Sequence, residues 1–148
     1  MKLSAGVEWA IHCCVVLSLA ERPVPGARLA ELHGVSKTYL AKHLQALARA
    51  GIVQPSEGRD GGYALTRDPA GITVLDVVRA IDGPEPAFRC TEIRQQGDLA
   101  APPEECRQAC GVAQVMAEAE QAWRTSLSGR TIAELAATVD GAAVRATI

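Results

Sequence analysis

Apolar residues recur at helical spacing over most of the chain. From Leu3 to Glu21, the positions Leu3, Val7, Ala10, Ile11, Cys14, Val15 and Leu19 predict a long helix, ended by Pro23 and Pro25. A short helix is expected from Ala27 to Leu32, broken by Gly34. Ser36 is placed to cap the next helix, which runs to Ala50 and stops at Gly51. Its stripe of Leu40, Leu44 and Leu47 leaves Lys37, Thr38, Lys42, His43 and Gln45 on other faces. The period then changes from helix to strand. Ile52-Val53, a turn from Pro55 to Gly62 containing Gly58, Gly61 and Gly62, and Tyr63-Ala64-Leu65 predict a hairpin. Helix, glycine-containing turn, capped helix and hairpin make a helix-turn-helix followed by a wing.

Downstream, Ile72, Val74, Leu75, Val77, Val78 and Ile81 predict another helix, closed by Asp82-Gly83. Residues 84–102 have no regular pattern and hold Cys90. A loop of that length inside a compact domain is uncommon and usually functional or disordered. Pro102 and Pro103 are suited to open a long helix reaching Leu127, with Glu104 and Glu105 at its positive end. Its stripe of Val112, Val115, Met116, Ala119, Ala122, Trp123 and Leu127 is too long for this core to cover, which predicts a partner subunit. Thr131 to Val139 is expected as a last short helix and the tail to Ile148 as mobile. No internal repeat is present. The fold class is therefore mainly α with a small β-hairpin wing: a winged helix-turn-helix plus a long dimerisation helix.

Composition narrows the function. With 148 residues, 48% of them hydrophobic and 22% charged, the chain has the make-up of one soluble domain and is too apolar for a disordered polyelectrolyte. The longest apolar run, Ala10 to Ala20, is interrupted by His12 and Ser18 and is about half the roughly 20 residues of a membrane span. It has no small-residue cleavage site either, so a cytoplasmic protein without membrane contact is expected. The net charge of −2 is unevenly spread: residues 36–67 carry Lys37, Lys42, Arg49, Arg59 and Arg67 against Glu57 and Asp60, a local +3. A basic island on an acidic body is the footprint of phosphate contact. No phosphate loop, no nucleophile beside a base and no acidic pair in a cleft-like context points to an enzyme. Five cysteines in such a chain suggest metal binding, redox sensing or simple packing rather than stable disulfides.

At Ser36-Lys37-Thr38-Tyr39-Leu40, Gly51-Ile52-Val53, Gly58-Arg59-Asp60-Gly61-Gly62-Tyr63 and Ile72-Thr73-Val74-Leu75-Asp76-Val77-Val78, the chain resembles the Rrf2 family of winged-helix transcriptional regulators, the group of IscR and NsrR. The resemblance covers residues 1 to about 139. Within the family it is most similar to the redox-sensing iron–sulfur branch, RsrR, through Glu8, Trp9 and His12. The resemblance implies a homodimer that binds partly palindromic double-stranded DNA operators and responds through a [2Fe-2S] cluster. On this reading, residues 1–82 are the DNA-binding domain, with the first helix also at the dimer interface. Residues 83–101 are the cluster-binding loop, 102–139 the dimerisation and C-terminal helices, and 140–148 the tail. A recognition helix offers its first turns to the major groove, which nominates Ser36, Lys37, Thr38, Tyr39 and Lys42, with His43 in a lesser place. Arg59 at the wing tip is placed to meet the minor groove or a phosphate. Alternatively, Tyr39 is core and Arg59 merely solvated.

Family clusters typically draw three cysteines from the segment after the wing plus one other ligand. Here Cys90 stands at the first cysteine position, and Cys110, 25 residues before Leu135, matches the last. The middle cysteine is missing from its usual place, and Cys106 lies one helical turn before Cys110 instead. Glu8 stands where some relatives place an acidic ligand, and His12, four residues on, shares its helix face. Thiolates dominate such clusters, but imidazole can replace thiolate. The preferred ligand set is Cys90 and Cys110 from one subunit with Glu8 and His12 from the other. The competing set is Cys90, Cys106 and Cys110 plus either Glu8 or His12. A structural reading also stands beside both, with Glu8–His12 as an exposed helix pair and Cys110 as a small buried residue. Trp9, beside Glu8, is the expected switch, shifting with cluster state and re-spacing the recognition helices. Cys13 and Cys14 lie in the apolar helix and are read as packing. The alternative function is a cluster-free regulator switched by a small molecule or by thiol oxidation, through a Cys106–Cys110 or Cys90–Cys110 disulfide.

Overall fold

A helix apolar on nearly every side has to be central, and α1 (Ala5–Leu19) is: Gly6, Val7, Ala10, Cys13, Cys14, Val15 and Leu17 are all buried. Cys13 and Cys14 have no exposed surface, and burial pushes each thiol up to about 12. They are packing residues, as their setting in the sequence suggested. In this computed structural model, which describes residues 2–148, the chain forms two bodies, Lys2–Pro84 with Leu127–Ile148, and Glu85–Ser126.

In the first body, α2 (Gly26–Leu32) and α3 (Lys37–Arg49) form the helix-turn-helix around α1. α3 starts at Ser36, whose hydroxyl accepts the Tyr39 N–H at 3.1 Å. It stops at Gly51, whose φ of +70° is the left-handed conformation that ends helices. Leu40, Leu44 and Leu47 are at most 1% exposed, each contributing about 2 kcal/mol of burial. That stripe fixes the rotation of α3 and leaves Lys37, Thr38 and Lys42 exposed.

The hairpin pairs β1 (Val53–Ser56) with β2 (Gly62–Leu65) antiparallel, from Val53↔Leu65 to Ser56↔Gly62. Val24 adds a rung to it, exchanging two 2.9 Å backbone hydrogen bonds with Tyr63. Gly62 suits this close approach, because a Cβ would lie 2.7 Å from the Pro25 nitrogen, against the backbone of the Val24–Pro25 peptide. α4 (Val74–Asp82) carries a capping box, with Thr73 and Asp76 each accepting the other's backbone N–H. α6 (Ile132–Ala136), capped the same way by Thr131 and Glu134, returns to this body through the Thr73↔Thr131 bridge.

Most boundaries lie within three residues of those the sequence suggested, but two regions differ by more. The long helix α5 is Gly111–Ser128 and does not begin at Pro102. Pro103–Cys106 form a single 3-10 turn instead. At the end of that turn and just after it, the carbonyls of Cys106 and Gln108 accept hydrogen bonds from Arg94. Past residue 139, Asp140 caps another helix, α7 (Gly141–Thr147), whose Thr147 carbonyl accepts from Arg28. Among the described residues no helix is long and apolar enough to cross a membrane.

Candidate nucleic-acid interface and ligand positions

The exposed side of α3 begins at its capped N-terminus. Lys37 and Thr38 are exposed on the first turn and Tyr39 is half-buried. Lys42 is exposed, with its Nζ 4.5 Å above the Tyr39 ring, a cation–π contact that holds the ammonium near the helix. His43 does not share that surface. It is 9% exposed and lies in the core stripe with Leu40, Leu44 and Leu47. Burial, first, and the neighbouring Lys42, second, hold its imidazole below its ordinary pKa, partly opposed by Asp82. The place given to His43 among groove-facing residues is therefore corrected. Room exists for it because the residue opposite, on α1, is Gly6. Arg59 is exposed at the wing tip next to Gly58, whose φ is +102°. The turn is held by Ser56, whose hydroxyl accepts the Gly62 N–H at 3.2 Å.

On α1, Glu8 and His12 are both exposed and line one shallow groove with Leu3, Ser4, Val7 and Ile11. Trp9 is half-buried. Its ring lies 6.2 Å from that of His33, and the His12 ring lies 6.0 Å from the same imidazole. Sequence reasoning passed over His33, which closes α2. Its Nε2 is buried without a hydrogen-bond partner among the described residues, and burial together with His12 lowers its pKa. The signal available was slight: a histidine next to the glycine that ends a short helix.

In the second body, Cys90 is exposed and its Sγ accepts the Glu92 N–H at 3.4 Å. Glu92 is the one non-glycine residue with positive φ (53°) among the described residues. Its carboxylate makes a two-pronged pair with Arg94, at 2.6 and 2.7 Å. Hydrogen bonding to Arg94 holds the Glu92 carboxyl below its usual range, and the reverse contact raises the guanidinium. The same Arg94 Nη2 donates to the Gln108 carbonyl at 2.8 Å and the Cys106 carbonyl at 3.4 Å. Arg94 thus ties the Glu92 turn to the segment between Cys106 and Cys110, a role that loop composition alone did not reveal. Cys110 immediately precedes α5, where its Sγ accepts the Ala113 N–H at 3.5 Å. This is the end of a helix at which negative charge is favoured. Cys106 is half-buried at the end of its own turn, not one helical turn from Cys110 along a shared face. No three histidine, cysteine or acidic side chains gather closely enough to hold a metal ion within one chain, among the described residues.

Residues 3–138 match the profile of the Rrf2 family, described as "Iron-dependent Transcriptional regulator". The chain belongs to the Rrf2 family. Its members are transcriptional regulators and not enzymes. The chain is 36% identical over 107 residues to protein aau3 of Rhizobium meliloti (strain 1021), covering 72% of this chain and 66% of that protein. It is also 36% identical over 92 residues to the HTH-type transcriptional regulator IscR of Xenorhabdus nematophila, covering 61% of this chain and 56% of that one. The chain thus spans about two thirds or less of the length of these curated relatives. Among solved structures, CymR (YrzC), the global cysteine regulator of B. subtilis, superposes with a TM-score of 0.73 at 24% identity. That match covers 95% of this chain and 99% of that one, and it shows a shared fold.

Proposed function

We propose that this Rrf2 protein is a homodimeric, DNA-binding transcriptional regulator that carries a [2Fe-2S] cluster. The observation that carries the DNA reading is the rigid presentation of α3. A buried leucine stripe sets its rotation, Ser36 caps it, and Lys37, Thr38 and Lys42 are left to solvent. Lys37, Lys42 and the wing-tip Arg59 supply phosphate-neutralising charge. The Ser36 and Thr38 hydroxyls and the free N–H groups of the first turn supply hydrogen bonds to phosphate or base edges. Tyr39 contributes by holding Lys42 and through its own hydroxyl.

The donor set also fits the cluster. Cys90 and Cys110 each receive a backbone N–H on sulfur, the contact that stabilises a thiolate ligand. Glu8 and His12 stand exposed one turn apart on α1. Cys90 and Cys110 of one subunit would hold the group with Glu8 and His12 of the partner subunit, leaving Cys106 out. When bound, a [2Fe-2S] group supplies one-electron redox chemistry, and its mixed thiolate, imidazole and carboxylate ligands set its potential. Within the chain, Trp9 follows Glu8 directly, and α1 packs on α3, so the ligand-bearing helix and the recognition helix share one core. Trp9 is the residue through which α1 would register a change at Glu8 and His12.

Selection of duplexes by the full-length protein from a random 30-base-pair library tests the DNA reading. A partly palindromic motif should emerge, with binding lost on Lys37→Ala. Failure to enrich any sequence at low salt would remove it. The visible spectrum of anaerobically purified protein tests the cluster. Charge-transfer absorption should persist in Cys106→Ala and vanish in Cys90→Ala and Cys110→Ala. A colourless, iron-free preparation from iron-replete cells would leave the thiol-oxidation reading in its place.

A further inference from the structure

α1 and α3 touch at one very close approach. Gly6 is buried two residues before Glu8. A methyl group there would lie 2.6 Å from Nδ1 and 2.9 Å from Nε2 of His43, and closer still to Cε1. The imidazole therefore rests on the α1 backbone with no side chain between them. Filling space does not account for a histidine at this place. Its Nε2 is buried and has no hydrogen-bond partner among the described residues, a loss that an apolar side chain would avoid.

What the ring does make is an edge contact with Tyr39, at 4.9 Å between centroids and 74° between planes. Tyr39 in turn carries the Lys42 ammonium at 4.5 Å. A continuous contact runs from Gly6 through His43 and Tyr39 to Lys42. It starts on the helix that bears Glu8, Trp9 and His12 and ends at an exposed cation. Ahead of Gly6, Ser4 is bound to the Asp82 carboxylate at the end of α4 through its hydroxyl and through its backbone N–H, the latter at 2.9 Å. The first turn of α1 is thus anchored where it meets His43.

We propose that His43 is a positioning residue for DNA contact. Seated on Gly6, it sets the Tyr39 ring and, through it, the Lys42 ammonium, so that the placement of α1 and of Lys42 depend on each other. This rests on the reading of α3 as the DNA-contacting helix. Coupling of this kind is reciprocal: DNA on α3 biases α1 as strongly as α1 biases DNA affinity.

The test uses a duplex that the parent protein selects from the random library. His43→Leu fills the same space and removes the unpartnered nitrogen, so its melting temperature should equal or exceed the parent's. Its affinity should nonetheless fall, with a shallower dependence of log K on log salt. One lost phosphate contact per protomer lowers that slope by about 0.9, which is about eightfold in affinity per protomer at 0.1 M salt. In a Lys42→Ala background, His43→Leu should produce little further loss, because both act through one ammonium. Gly6→Ala, which displaces the imidazole, should behave like His43→Leu if it folds. In a Trp123→Phe background, adding duplex should shift Trp9 emission in the parent and not in His43→Leu.

Parent-like affinity and slope in His43→Leu, with Lys42→Ala impaired, would overturn the proposal. So would a His43→Leu loss that adds in full to that of Lys42→Ala, or no Trp9 response in the parent. If Lys42→Ala and Lys37→Ala both bind like the parent, the DNA reading of α3 itself is wrong and this inference goes with it.

Discussion

Ser36 has two roles in this structure that a pair of substitutions separates. It is the N-cap of α3, in extended conformation (φ −67°, ψ 141°), with its hydroxyl accepting the Tyr39 N–H at 3.1 Å. It is also one of the groups proposed to meet DNA. The cap is exposed, so the Tyr39 N–H returns to water when the hydroxyl is lost, and the cost stays near the middle of the usual range. Ser36→Ala should therefore destabilise by about 1 kcal/mol, and Ser36→Gly by only a few tenths, since glycine leaves the helix end open to water. With a urea slope of about 2 kcal/mol per molar, the alanine variant should unfold about 0.5 M earlier and the glycine variant about 0.1–0.2 M earlier. Far-UV circular dichroism across a urea titration reads the first quantity, and fluorescence anisotropy on the selected duplex reads the second. Both variants should lose affinity to a similar degree, because both lack the hydroxyl. An alanine variant as stable as the glycine one would refute the capping argument. Affinity that tracks stability and not the hydroxyl would refute the contact.

Other consequences are equally direct. His33 and His43 both have lowered pKa values in the folded protein, so the folded state binds fewer protons than the unfolded one below about pH 6.5. Their contribution to stability is complete above that pH and is lost as pH falls through the unfolded value toward the folded ones. Melting temperature should fall between pH 7 and pH 5, and His43→Leu should flatten part of that fall. In iron-free, reduced protein at pH 8, a thiol reagent should label Cys90, Cys106 and Cys110 quickly. Cys13 and Cys14, with thiols near 12 and no exposed surface, should react only on unfolding. Rapid labelling of all five would contradict their burial. Gly62→Ala forces a Cβ into the Val24–Pro25 backbone and should cost about 1–3 kcal/mol, whereas Gly58→Ala, at an open site, meets only the strain of its positive φ. Equal melting temperatures for parent and Gly62→Ala would argue against the Val24 rung.

The elements that could be read in advance are those whose signal is local. The leucine stripe of α3, the Ser36 cap and the Gly51 stop are each set by residues within four positions of one another. The hairpin around Gly58, Gly61 and Gly62 appeared where its turn residues predicted it. His43 was misplaced for a specific reason. It sits at the second position of the 40, 43, 44, 47 repeat, which is a core position, but its polarity argued for the surface. Only Gly6, remote in sequence and without a side chain, makes that core position habitable. The start of α5 was misjudged for a similar reason. The two prolines at 102 and 103 are compatible with either a helix or a turn. In the fold these residues open a turn, and the Cys106 and Gln108 carbonyls accept from Arg94, a contact between segments that local sequence does not announce.

The candidate chemistry divides in the same way. Identity and spacing of Glu8, His12, Cys90 and Cys110, the basic island and the winged-helix pattern were determined by the sequence alone, since each depends on residue type and short-range periodicity. Tertiary structure decided which of those side chains meet solvent, that His33 stands by Trp9 and His12, and that His43 rests on Gly6. It also decided that Cys90 and Cys110 accept backbone N–H groups. These depend on where distant segments cross, and a one-dimensional pattern does not encode which small residue will face which ring.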